Sequence, residues 1–171
     1  GIPNSTPFKS GDIIGFDFRV IYGGMVTDAA RTFVVGDATP EAKKLIQATQ
    51  RSLDNAINKV KNGCSVGDIA SAAQDVLDKG GYGIVRDLVG HGVGHKIHED
   101  PEIPNYGVAG TGPKLKSGMT IAIEPMSTTG DWAVVVDHDG WTIRTKDGSL
   151  SAHFEDTVLV TDTGAEILTR L

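Results

Sequence analysis

Apolar and polar positions alternate, in part, in two stretches near the start of the chain. Residues 12–20 read Asp-Ile-Ile-Gly-Phe-Asp-Phe-Arg-Val, residues 25–35 repeat that β-rich character, and Tyr22-Gly23-Gly24 stands between them. Such runs on either side of a glycine turn predict a β-hairpin. The period then lengthens. Thr39-Pro40 supplies an N-cap and a first-turn proline, and Ala42, Leu45, Ile46, Thr49, Leu53, Ala56, Ile57 and Val60 recur at helical spacing until Gly63. Ser65, with Asp68 three residues on, opens a second helix through a capping-box pattern. Ile69, Ala72, Ala73, Val76 and Leu77 form its apolar stripe, and Gly80-Gly81 ends it. Short β segments are predicted near 84–92, 119–128, 132–136, 141–145, 152–161 and 165–169. The Gly/Pro-rich stretch from Asp100 to Gly118 reads as a functional loop. Strands, then helices, then strands predict an α+β domain with a largely antiparallel sheet.

The 171 residues suit a single domain with its own core. A net charge of −6 argues against binding nucleic acid or an anionic membrane through a basic face, and it suits a substrate carrying a free amino group. No apolar run is long enough to cross a bilayer and no signal peptide is evident. The one cysteine, Cys64, excludes an internal disulfide framework and reads as structural. Together these features point to the cytoplasm.

Candidate chemistry sits on the β segments. Asp17 and Asp28 lie on the two arms of the hairpin, and the turn makes them near-partners across the ladder. Phe16 and Phe18 flank Asp17, so the rings and the carboxylate project to opposite faces. Two carboxylates packed on an inner face repel unless a proton or a cation lies between them; the alternative is two solvent-facing acids. In Gly90-His91-Gly92-Val93-Gly94-His95-Lys96-Ile97-His98-Glu99, glycines on both sides of His91 permit close backbone approach. His91 is the best ligand candidate there, His98 is placed to contact substrate, and His95 is peripheral. Glu124 ends an apolar strand before Pro125, and Glu155 stands inside another β run. Each acid alone reads equally as a surface residue on an edge strand. Jointly, four acids and one imidazole suit manganese, iron, cobalt or zinc in a catalytic rather than a structural site.

These motifs resemble a known family. Gly1-Ile2-Pro3-Asn4, the Asp17 to Asp28 spacing, Gly90-His91-Gly92-Val93-Gly94, Ile97-His98-Glu99, Ile123-Glu124-Pro125-Met126, Asp139-Gly140-Trp141-Thr142 and Leu150-Ser151-Ala152-His153-Phe154-Glu155 are similar, in order, to those of bacterial type I methionine aminopeptidases. The resemblance implies the pita-bread fold, a curved antiparallel sheet with helices outside and metals inside. It implies two divalent ions, with Asp17 on one, Asp28 and Glu155 bridging, and His91 and Glu124 on the other. A metal-bound water would be the nucleophile, Glu124 would shuttle its proton, and His98 would hydrogen-bond the scissile peptide. Trp141 and Ile97 would line the methionine pocket. The expected activity is removal of N-terminal methionine from peptides and nascent chains.

Two departures qualify that expectation. The family carries a histidine immediately before the Gly-Ile-Pro motif, and much of its methionine pocket comes from an upstream segment. The sequence opens at that glycine, so the resemblance implies a catalytic domain, residues 1–171, that is incomplete at its N-terminus. Ile13, Phe16 and Phe18 are then expected to lack cover, which favours self-association or complementation by the missing segment. Two further readings stand beside the first. One is a Xaa-Pro-type peptidase of the same fold; the other is a non-catalytic module that binds peptides or partners.

Overall fold

The computed structural model describes Ile2 and residues 4–170; Gly1, Pro3 and Leu171, and with them half of the Gly1–Asn4 motif, lie outside the described residues. The hairpin forms as its pattern predicts. Strand β1 (Ile13–Tyr22) pairs antiparallel with β2 (Met25–Val34), and Tyr22 faces Met25. The two-residue connection is Gly23 and Gly24, at φ of 57° and 80°. Positive φ at both positions matches the right-handed strand twist and is open at little cost only to glycine and a few polar residues.

Both helices start at their sequence signals, but the first stops at Ile57, with Asn58 as its C-cap, short of the Gly63 that the pattern set as its end. Helix α1 (Pro40–Ile57) starts at Thr39, whose side chain accepts from the Ala42 N–H. Helix α2 (Val66–Gly80) starts at Ser65 with both hydrogen bonds of a capping box to Asp68, and stops at Gly81 in the left-handed conformation. Their buried stripes pack on one face of the main sheet. There Leu53, Ala56, Val60, Ile69 and Ala73 meet Ile121, Ile123, Val158 and Val160, and Cys64 is buried in the same cluster.

The remaining strands are β3 (Gly83–Ile84), β4 (Gly90–Gly92), β5 (Glu99–Ile103), β6 (Thr120–Ile123), β7 (Met126–Thr128), β8 (Val134–Val136), β9 (Ile143–Thr145), β10 (Ser151–His153), β11 (Glu155–Val160) and β12 (Ala165–Ile167). The main sheet runs β1-β2-β11-β6-β4-β5, with β12 also on β11; a second sheet is β10-β7-β3 and a third is β8-β9. Every strand pair within these sheets is antiparallel.

Three expectations for the segments after α2 also need correction. Residues 84–92 do not make one strand, because β3 and β4 belong to different sheets. The loop from Asp100 begins later, since β5 occupies Glu99–Ile103 at the sheet edge, where Pro101 has no central ladder to interrupt. The runs 119–128 and 152–161 each divide. The first leaves the main sheet at Glu124-Pro125 and the second enters it after Phe154. The two switch points are tied by the Phe154 N–H donating to the Pro125 carbonyl at 3.3 Å. Glu124 and Glu155 therefore sit where the sheets part.

Candidate metal centre

Side-chain alternation decides what faces the site. In β1 and β2, Asp17 pairs with Ala30 and Arg19 with Asp28, so Asp17 and Asp28 are diagonal neighbours on one face. Glu155 pairs with that same Ala30, and His91 pairs with Ala122, which in turn pairs with Thr157. Asp28, Glu155 and His91 thus share the face opposite the helices. Ligand atoms of these three buried residues lie within 4.8 Å of one another. Asp17 lies on this face but is exposed and stands outside the cluster of three.

Backbone constraints place three of the expected ligands. The Asp28 N–H donates to Thr157 Oγ1 at 2.8 Å, and that hydroxyl donates to the Asp28 carbonyl at 2.8 Å, clamping β2 to β11 beside Asp28. Asn105 Nδ2 donates to the Glu124 carbonyl at 3.0 Å. The glycines around His91 serve the strand packing. A Cβ at Gly90 would collide with the Ala122 carbonyl oxygen, and one at Gly92 with that of Asp100. An irregularity in register between His91 and Gly92 also bends β4 at the histidine.

The protonation pattern is that of a cation site. His91 Nδ1 lies 2.9 Å from the Gly92 carbonyl oxygen, which can only accept, so Nδ1 carries the hydrogen. Burial lowers the His91 pKa, which keeps the ring neutral and leaves Nε2 as a bare lone pair. Glu124 Oε1 faces that nitrogen at 3.4 Å. Two acceptors at that distance need a proton or a metal ion between them. Burial, then the charges of Asp28 and Asp17, push Glu124 up to about 8. Burial, then Glu124, Asp28 and Asp17, push Glu155 up to about 10. Asp28 is raised by burial and by Asp17, against the pull of Arg19, whose Nε lies 3.6 Å from Asp28 Oδ2. The other oxygen, Asp28 Oδ1, is buried without a hydrogen-bond partner. Acids that resist ionising together, an orphaned carboxylate oxygen and a bare imidazole nitrogen fit a divalent cation.

His98 stands against His91, ring centroids 4.5 Å apart and nearly perpendicular. Both line a groove of about 740 Å³ whose other walls include His95, Glu99, Asp100 and Glu102. His95, read from sequence as peripheral, therefore borders the groove. Ile97 packs on Val26, Val93 and Ala122, on the same face as Asp28. Trp141 is 72% exposed between β8 and β9. A smaller apolar cavity of about 140 Å³ opens beside His153, between Val85, Leu88, Met126, Val134 and Ile143. Trp141 lines neither cavity.

Sequence reasoning assigned no role to Arg19, Thr157 or His153. Arg19 and Thr157 were legible in principle, being two residues along a strand from Asp17 and Glu155. His153 was hidden by the change of sheet at Phe154. Asp156, beside Glu155, points to the helix side, where Arg31 Nη2 at 2.5 Å, Thr169 Oγ1 at 2.7 Å and Arg170 Nε at 2.7 Å donate to it. It is a paired structural acid, whereas Glu155 has no cationic partner among the described residues.

Comparison with known proteins agrees with this geometry. The model of metallopeptidase family M24 matches residues 1–162. A methionine aminopeptidase of Clostridium perfringens is 48% identical over 169 residues, covering 99% of this chain and 68% of the relative. The crystal structure of a methionine aminopeptidase from Rickettsia prowazekii superposes with a TM-score of 0.97 at 44% identity, over 99% of this chain and 69% of that one. A prolidase from Pyrococcus furiosus shares the fold at a TM-score of 0.74 and 29% identity, over 95% of this chain and 42% of that one. The chain thus has the pita-bread fold and spans about two thirds of the length of its methionine aminopeptidase relatives. It belongs to metallopeptidase family M24 and, within it, to the methionine aminopeptidases, which are metal-dependent hydrolases.

Proposed function

We propose that this chain hydrolyses the peptide bond after an N-terminal methionine in peptides and nascent chains. The observation that carries the reading is the convergence of Asp28, His91, Glu124 and Glu155 on one sheet face, in a chain of this membership. Two divalent ions, of cobalt, manganese, iron or zinc, would be held with Asp17 on one, Asp28 and Glu155 on both, and His91 and Glu124 on the other. Such ions supply Lewis acidity, making a bound water acidic enough to attack at neutral pH and offsetting the charge of the tetrahedral oxyanion.

The chain's own residues supply the rest. The acidic face of Asp17 and Asp28 attracts the substrate's α-ammonium group, which favours exopeptidase action. Glu124 takes the proton from the attacking water and hands it to the leaving amine, a general acid–base role. His98, on the wall of the groove beside His91, hydrogen-bonds the scissile peptide. Ile97 backs the methionine side chain, and Trp141, on the turn between β8 and β9, is by resemblance the second wall of that pocket. A location in the cytoplasm, with no nucleic-acid or anionic-membrane partner, accords with the net charge of −6 and the single cysteine. Cover for the hairpin by another copy or by a separately supplied N-terminal segment belongs to the same proposal.

The test is cleavage of a Met-Ala-type peptide beside an Ala-Pro-type peptide, with each metal and with chelator. Metal-dependent release of methionine alone is expected. Preferential cleavage of the Ala-Pro peptide would favour the Xaa-Pro reading, and metal binding without hydrolysis would favour the non-catalytic one.

A further inference from the structure

His153 borders the centre without being one of its five expected ligands. It ends β10, and its backbone is held from both sides by one hydroxyl. Thr32 Oγ1 donates to the His153 carbonyl at 2.8 Å and accepts from its N–H at 2.9 Å. Across β7 the residue pairs with Met126. The ring therefore starts from a fixed point. Its Nε2 is buried and has no hydrogen-bond partner, a condition rare enough in native proteins to need a cause.

The charged group nearest to it is Glu124. His153 Nε2 lies 3.6 Å from Glu124 Oε2, just beyond hydrogen-bond range, while Glu124 Oε1 faces His91 Nε2 at 3.4 Å. The two oxygens of one carboxylate are thus addressed by two imidazoles. One belongs to the proposed cation site and uses its only N–H on the Gly92 carbonyl. The other has a nitrogen to spare. A carboxylate on a free terminal torsion presents either oxygen to a metal. A donor fixed on one oxygen sets its plane and leaves the other for coordination.

We propose that His153 is a positioning residue for Glu124, its neutral ring donating Nε2–H to Oε2 so that Oε1 stays turned toward His91 and the cation. This rests on the metal-centre reading above and needs no change of protonation at His153. What matters is a donor at that point in space, so a neutral amide of similar reach can replace the imidazole and an aliphatic side chain cannot.

The test compares the full chain with His153→Gln and His153→Leu. Three quantities are read: Mn²⁺ affinity by calorimetric titration, kcat and KM on a Met-Ala-type peptide, and the thermal midpoint of each variant. Loss of an outer-shell partner typically weakens metal binding or activity by about 10- to 100-fold. His153→Leu is therefore expected to lower affinity about tenfold and to reduce kcat more than it changes KM, while His153→Gln stays within about threefold of the parent. If His153→Leu does not melt cooperatively, His153→Met serves as the variant without a donor. Affinity within threefold of the parent in the donorless variant overturns the proposal. So does an equal loss in Gln and Leu, which would mean that the imidazole itself ligates or packs. A parent chain that binds Mn²⁺ but hydrolyses nothing would sink the activity reading, while the affinity comparison would still decide on His153. A parent that binds no Mn²⁺ overturns both.

Discussion

The two halves of the main sheet contribute to one site on unequal support. Strands β11, β6 and β4 carry Glu155 and His91 on the inner face, and the helices cover the outer face with a dense apolar layer. The β1–β2 hairpin carries Asp17 and Asp28 on its inner face, but its outer face shows Phe16 at 50%, Phe18 at 56% and Phe33 at 53% exposure. Ile13, grouped with these phenylalanines in the sequence reading, has the parity of Asp17, projects to the inner face and is half-buried. The contrast lies in how the expected ligands are supported. Thr157 holds Asp28 to the covered half through two short hydrogen bonds, whereas Asp17 depends on the uncovered strand alone.

The sharpest break of that comparison is at Asp156, which is wholly buried and joins β11 to Arg31 and Arg170. Asp156→Ala should cost on the order of 3 kcal/mol in denaturant unfolding, because it leaves the partly buried Arg31 guanidinium without its carboxylate and Arg170 with Asp54 alone. Leu53→Ala, in the layer between helix and sheet, should cost about 2–5 kcal/mol through transfer and cavity terms. Phe18→Ser on the hairpin should change stability by no more than about 0.5 kcal/mol if that face stays open to water. A larger loss that depends on protein concentration would show the face to be covered by another copy.

Glu155 offers a test in which stability and metal binding part company. Its buried carboxyl is raised to about 10 and Glu124 to about 8, both from an ordinary value of 4.5. A carboxyl whose folded pKa is raised adds stability below its unfolded pKa and loses that contribution as pH rises through the folded value. The neutral histidines act oppositely at lower pH. His153 falls from 6.5 to about 4, so its contribution is lost on acidification through that range. The thermal midpoint of the metal-free chain should therefore fall as pH rises from about 6.5 to 8, and saturating divalent metal should remove the decline. Glu155→Gln should raise the metal-free midpoint at pH 8 while weakening metal binding. A flat profile for the metal-free parent would contradict the crowding of acids described here.

Much of this was legible in the sequence, and the exceptions have physical causes. Thr39-Pro40, the Ser65–Asp68 box and Gly23-Gly24 act through local geometry, so they marked the starts of both helices and the turn of the hairpin. Strand β5 was read as loop because Asp100-Pro101-Glu102 lacks apolar alternation, and only pairing with β4 makes it a strand. The change of sheet at Glu124-Pro125 is a tertiary event, marked in sequence only by the proline. Glu155 and Asp156 look alike in sequence. What separates them is Arg170, fourteen residues away from Asp156, and Arg31 on another strand. Trp141 was expected at the pocket through resemblance alone, and it stands in solvent between β8 and β9.

The central claim is that the inner-face acids exist to hold divalent metal, and calorimetric titration of the chain with Mn²⁺, beside Asp28→Asn, tests it most directly. Two ions per chain are predicted for the parent, with affinity at least about tenfold weaker in the variant, whose orphaned carboxylate oxygen has been replaced by an amide. No saturable binding, or a titration that Asp28→Asn leaves unchanged, would contradict it.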